Sequence, residues 1–331
     1  EAATWSLFSR STNAFAMANP GFNLLRSSDE LRDCFPSGAA PFRETPPAPA
    51  ASRRLFDTKT ILATGGILLS VATASYSKWW SGRSTSFHFR REGLFGRDTY
   101  AGGLDKASHF WFAYMSFEPF ERFFRLLDHP ATESGMLALG TVIGTGVVVE
   151  SGDGFGTGAS WEDLGADILG GLTAFALRET RLDDTVGFRA GWLPTQPTPG
   201  VYRRGPSGSD YSQELYSADL KLGGLFRRLR LSPGVSRFLL LSMTYDTKGY
   251  GVVTVPPQSR ERNVGVALGL NLPEIARALG LREDSWWSRP LYGFLSYFRI
   301  PYTAFGFRYD LNHHRWQGPD TGDRYHPDTA P

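Results

Sequence analysis

The sequence predicts a mainly α protein: a small membrane-associated bundle of about four helices, followed by a mixed α/β region with a few antiparallel strands. Three observations predict it. Four long apolar or aromatic stretches lie between residues 55 and 185. After about residue 185 the texture changes to Gly- and Pro-rich connections and short alternating runs, the period-2 signature of strands. Among 331 residues, 24 Phe and 9 Trp are dense enough to suit a membrane interface or a large nonpolar cavity.

The net charge of +2 is too small and too dispersed to argue for nucleic acid as a partner. Cys34 is the only cysteine, so no intramolecular disulfide exists, and a lone thiol cannot close a structural zinc site. Leu31 lies three residues before Cys34, as in a lipoprotein signal. Arg32 and Asp33 are wrong for one, and no apolar run precedes them. Residues 1–54, with "FPSGAAPFRETPPAPAAS", read as a disordered Pro/Ala-rich segment that cannot build a core.

Residues 55–185 read as the helical domain. Its first element is the apolar run Thr60 to Ala74, preceded by Arg53, Arg54 and Lys59 and closed by Trp79 and Trp80. Its basic start and small "ATA" resemble an export signal. Its Gly66, Ser70 and Ala74 spacing equally fits a retained helix that another helix approaches closely. The run is short for a span, which needs about 20 apolar residues. The second element, Ser108 to Leu127, is crowded with aromatics and should kink at Pro119. The third, Gly135 to Glu150, is apolar all round, which demands burial in protein or lipid, and its Gly140 and Gly144 permit a tight crossing. The fourth, Trp161 to Thr180, opens on acids and ends on Arg178 and Arg181, favourable to the helix dipole.

Residues 186–312 read as the mixed region. It opens with a Pro/Gly-rich connection, "GFRAGWLPTQPTPG". "NVGVALGLNL" and "TAFGFRYDL" then alternate like strands that bury one large apolar side. "RFLLLSMTYDTKGYG" is a further strand, broken near Gly249. "PEIARALG" is a short helix from Pro273 to Gly280. Residues 313–331 read as a loop-like tail, with His313 and His314 solvated rather than metal-bound.

The helices carry one chemical anomaly. Asp105 and His109 share a helical face, with Lys106 beside them; Asp163 and Asp167 share another. Glu150 and Asp153 end the apolar third helix, and Ser160 opens the fourth. Carboxylates among apolar helices need a counter-charge, a proton or a metal. Asp105, His109, Glu150 and Asp163 are therefore candidate catalytic groups or ligands of a divalent metal ion. Lys106, Asp153, Ser160 and Asp167 complete the polar cluster. Capping alone accounts for Asp105, Asp153, Ser160 and Glu162; it accounts less well for Asp167, deeper in its helix. No HExxH, P-loop or GxSxG motif is present.

The order "LDKASHFWFAY", then "VVVESGDGFGTGASWEDLGADILGG", resembles the YfiM-like family of predicted periplasmic lipoproteins, and is also similar to the VanZ-like group of small helical membrane proteins. The matching positions are Asp105, Lys106, His109, Glu150, Asp153, Gly154, Ser160 and Asp163; the family often has asparagine where Asp167 stands. The resemblance covers about Thr60 to Thr180 and implies a bacterial envelope location, on the periplasmic side of a membrane, and a helical fold. It implies no reaction. Two functions compete on these grounds. One is a structural envelope protein that holds membrane lipid or another hydrophobic ligand, its acidic cluster fixing helix register. The other is a metal-assisted hydrolase of a lipid or cell-wall precursor.

Overall fold

The computed structural model describes residues 57–82, 85–192, 211, 214–250, 257–282, 285 and 287–320. The expected disordered segment, Cys34 and most of the Pro/Gly-rich connection lie outside them. Helix α1 (Thr58–Ser75) starts where the Asp57 carboxylate accepts the Thr60 N–H at 2.7 Å. The buried Thr60 hydroxyl lies 2.7 Å from His129 Nε2, which ties α1 to the turn between the next two helices.

Helices α2 (Leu104–Leu126), α3 (Ala131–Asp153) and α4 (Trp161–Glu179) form the helical core, with Pro119 inside α2. Contacts between α2 and α4 advance together along both: Lys106 meets Asp163, Phe117 meets Phe175, and Glu121 meets Arg178. The two helices therefore run in the same direction. Tyr114, Phe117, Phe124, Leu137, Val142 and Ala174 fill the space among the three.

Small residues set the spacing of these helices. A Cβ at Gly170 would overlap the Phe110 carbonyl oxygen of α2, and one at Gly171 would lie 3.0 Å from Val142 of α3. Gly170→Ala is therefore expected to cost about 1–3 kcal/mol, because the strained neighbour is backbone, not a mobile side chain. Chemical denaturation checks it; an unchanged midpoint would show that the helices part freely here. The GxxxG pair works differently from expectation. Gly144 lies beside Leu68 of α1, but Gly140 has open space around it.

The strands are β1 (Val186–Trp192), β2 (Glu214–Lys221), β3 (Leu239–Lys248), β4 (Glu261–Leu270), β5 (Phe298–Arg299), β6 (Ala304–Asp310) and β7 (Arg315–Asp320). They form one sheet in the order β5-β1-β2-β3-β4-β6-β7. Every neighbouring pair is antiparallel except β1 with β5. Short helices fill two links: α5 (Leu222–Arg228) between β2 and β3, then α6 (Leu272–Ala278) and α7 (Arg289–Tyr297) between β4 and β5. The α6 helix begins with Pro273 in its first turn and stops before Gly280, whose φ is +85°. Phe188 of β1 packs on Phe110 and Tyr114 of α2, and the Trp111 indole donates to the Tyr297 carbonyl at 3.1 Å. Helices and sheet thus belong to one compact unit, Arg54–Pro331.

Three readings of the sheet need correction. Val186–Trp192 is a strand, not part of a connection, and Arg315–Asp320 is a strand, not a loop. The large apolar sides of β4 and β6 are exposed: Val264, Val266, Leu268 and Leu270, with Phe305 and Phe307, point outward, while Asn263, Ala267, Ala304 and Arg308 are buried. One physical reason covers β4, β6 and β1; β7 is a polar strand at the end of the sheet order, with no apolar alternation to mark it. The shielded side of this sheet is polar or small, so an alternation scan that assigns the apolar side to the core inverts β4 and β6. The same scan finds no core side in β1, whose inner positions are Gly187, Arg189 and Gly191.

Candidate functional site

The start of α2, the end of α3 and the start of α4 converge, and Asp105, Lys106, His109, Asp163 and Asp167 meet there. Lys106 is the centre. Its ammonium is 2 % exposed and lies 3.0 Å from Asp105 Oδ2 and 2.6 Å from Asp163 Oδ1; it also pairs with Glu92. Asp105, Asp163 and Asp167 are all buried. The Tyr211 hydroxyl donates to the second oxygen of Asp105. One turn along α2, His109 Nδ1 lies 3.2 Å from Asp167 Oδ1. Gly146 of α3 leaves the room: a Cβ there would lie 2.7 Å from Asp167 Oδ2.

Glu150 and Asp153 serve the neighbouring loop. Glu150 Oε2 accepts the Ser160 N–H at 2.6 Å, closing the connection between α3 and α4. Asp153 Oδ1 accepts the Trp80 indole N–H at 2.7 Å. A Cβ at Gly152 would overlap the Trp80 ring, so this contact needs the glycine. Ser160 is the N-cap of α4, its hydroxyl accepting the Asp163 N–H at 3.2 Å. The capping account thus holds for Ser160. It does not hold for Asp105, since Gly103 occupies the N-cap of α2 and Asp105 points to Lys106.

Charge and burial act against each other throughout the cluster. Burial disfavours the Lys106 ammonium, but the Asp105 and Asp163 carboxylates raise its pKa above the usual lysine value. Burial also opposes the His109 cation. The Asp167 hydrogen bond and charge, with Asp105 and Asp163, outweigh it and push His109 up to about 10. Burial favours a neutral Asp105, yet His109, Lys106 and the Tyr211 hydrogen bond hold it below the usual carboxylate value. Burial and the Asp105 charge push Asp163 up to about 8, against the pull of His109 and Lys106. Burial pushes Glu150 up to about 7, against the Ser160 N–H bond. Asp105 and Asp163 therefore share one ammonium and divide the charged and protonated roles.

One donor atom each from Asp105, His109 and Asp163 lies within 4.8 Å of the other two, a spacing that a metal ion can bridge. Glu150 is not in that group. A second group, Glu261, Asp310 and His313, lies where β4 and the turn from β6 to β7 meet. Arg315 already pairs with Glu261 at 2.7 Å, and His313 is bonded to Asp310 and to the Gln258 carbonyl. His313 is thus a turn residue of the sheet, not part of a loose tail.

Glu92 and Tyr211 are the site residues that sequence reasoning missed. Glu92 is in the loop before α2, and Tyr211 lies between β1 and β2. Neither has a spacing relation to the helices, so no local pattern marks them.

Residues 91–180 match the model of a family described as predicted periplasmic lipoprotein (DUF2279). The match spans the whole convergence of α2, α3 and α4, and its description agrees with the envelope location expected from the sequence. No curated protein and no solved structure matches the chain.

Proposed function

We propose that the protein is a structural, membrane-associated component of the bacterial cell envelope, in which the Asp105–Lys106–His109–Asp163–Asp167 cluster locks the helices into one register. The observation that carries this reading is the Lys106 ammonium. It sits in contact with Asp105 and Asp163 and supplies the counter-charge those buried carboxylates require. The ordered motif Asp105, Lys106, His109, Glu150, Asp153, Gly154, Ser160 and Asp163 further supports a YfiM-like helical half akin to the VanZ-like membrane proteins.

The cavity between helices and sheet suits a polar occupant better than an acyl chain. A cavity of about 350 Å³ between helices and sheet is lined by Glu118, Glu121, Arg178, Arg189, Asp219 and Lys221, among others. Its charged wall fits water or a polar ligand.

The spacing of Asp105, His109 and Asp163 supports a second reading, a metal-assisted hydrolase of a lipid or cell-wall precursor. The donor types suit a divalent ion, but Lys106 already contacts two of the three and would repel it. Elemental analysis of the purified full chain beside His109→Ala and Asp163→Asn separates the readings. The structural reading expects no stoichiometric divalent metal in the wild type and lower thermal midpoints in both variants. One tightly held ion, lost in both variants, would move the assignment to the metal site.

A further inference from the structure

The sheet is polar on its shielded side and apolar on its open side. Register places Tyr216, Tyr245, Val264 and Tyr309 in one row across β2, β3, β4 and β6. The next row is Ala218, Met243, Val266 and Phe307, and the third is Leu220, Leu241, Leu268 and Phe305. Met243 is 69 % exposed, Val266 54 % and Phe307 51 %. The opposite side carries Ser217, Thr244, Gly265 and Arg308 in one row and Leu215, Asp246, Asn263 and Asp310 in another. Ser217, Thr244, Asp246, Asn263, Arg308 and Asp310 are all buried.

A sheet that meets water on one side normally turns its polar side outward. Here the outward side is the less polar one, which is the arrangement of a sheet whose surroundings are hydrocarbon. At β1 this outward side is covered, because Phe188 packs on α2. From β3 onward only the Tyr245 end is covered, where Phe95 packs on the Tyr245 ring and the Tyr245 hydroxyl donates to the Gly102 carbonyl; Met243, Val266, Leu268, Phe305 and Phe307 beyond it are exposed. Both β3 and β4 are ten residues long, within the length of strands that cross a bilayer core.

The rim at one end of the sheet points to the same surroundings. The link Leu222–Phe238 contains Arg227, Arg228, Arg230 and Arg237 and no acid; Arg228 is held by Asp184 at 3.0 Å, so Arg227, Arg230 and Arg237 are the ones offered here to an anion. Between these arginines it exposes Leu229, Leu231 and Val235, the last to 76 %. Apolar anchors interleaved with arginines suit the level of lipid phosphates, where guanidinium meets anion and leucine reaches the acyl boundary.

We infer that the outward side of the sheet from β3 to β7 lies against the acyl chains of a lipid membrane, with the Leu222–Phe238 link at the anionic headgroups. This rests on the membrane association proposed above and names the surface that makes it; it is independent of the helical ion cluster.

The test uses the full chain with Cys34→Ser, carrying Met243→Cys or Val266→Cys labelled with an environment-sensitive fluorophore. Both positions are exposed, so neither change removes a core contact. The protein is added to vesicles of phosphatidylethanolamine and phosphatidylglycerol. Flotation measures association; quenching locates the probe. Nitroxide on the lipid acyl chains is expected to remove most of the emission at both positions, while aqueous iodide removes little. Flotation with a probe open to iodide would leave membrane association standing and overturn the sheet assignment. Protection from both quenchers, with a doubled mass by sedimentation, would assign this side to a second copy and overturn it equally. Failure to float would overturn both readings.

Discussion

Lys106→Met is expected to lower the unfolding free energy by about 3–5 kcal/mol, the cost of removing one partner from a buried ion cluster. Methionine keeps most of the side-chain volume, so the loss is electrostatic rather than a cavity. It leaves Asp105, Asp163 and Glu92 facing one another with no ammonium among them. Chemical denaturation measures the loss. A second substitution provides the control, measured above pH 8 where Asp163 is ionised: there Lys106→Met with Asp163→Asn removes one repelling charge and should recover part of the stability. A single variant within about 1 kcal/mol of wild type, below the range for a broken buried pair, would mean that Lys106 is not the counter-ion, and the structural reading would lose its main support.

The ion cluster's contribution to stability is expected to fall as pH rises from about 4 to about 10. The sign follows from groups that hold protons more tightly in the folded chain. Asp163 is raised from 3.8 to about 8, so its contribution is complete below 3.8 and lost as pH passes 8. Glu150, raised from 4.5 to about 7, behaves the same way over a narrower window. His109 is raised from 6.5 to about 10; its contribution is complete below 6.5 and gone above 10. Asp105 acts in the opposite sense, being lowered, and its contribution disappears only in acid. Thermal midpoints across this range measure the slope. Asp163→Asn should make the slope between pH 4 and 8 shallower, leaving the Glu150 share below pH 7, and should change it least between pH 8 and 10, where His109 alone of the three still titrates. If the slope is the same in the variant, the proton is held elsewhere.

The helical half was legible in the sequence because its signals are local. Apolar runs marked α1 to α4, and four-residue spacing put Asp105 with His109 and Asp163 with Asp167. Adjacency suggested Lys106. What spacing along a single helix cannot show is which face meets which. The pairing of His109 with Asp167, and of Lys106 with Asp163, depends on Gly170, which lets α4 approach α2, and on Gly146, which makes room in α3 for Asp167; both matter more here than the GxxxG pair. Glu92 and Tyr211 enter from loops and were invisible for that reason. The sheet was legible only in part. Alternation in β4 and β6 revealed strands, but the assumption that apolar means inward gave them the wrong side. In β1, the small residues Gly187, Ala190 and Gly191 disguised a strand as a connection.

The parallel pairing of β1 with β5 has a kinetic consequence. The helical half closes through contacts among neighbouring segments, and β1 to β4 can add one after another as a meander. Ala190, however, waits for Phe298, which is synthesised long after it. Until then β1 keeps a raw edge, with unpaired backbone groups able to recruit a strand from another chain. The pairing is also the sheet's most non-local step, where chain-closure entropy slows assembly most. A chain that stops short of α7 would carry a finished helical half beside an unsealed sheet, and misassembly between nascent chains would begin at that edge.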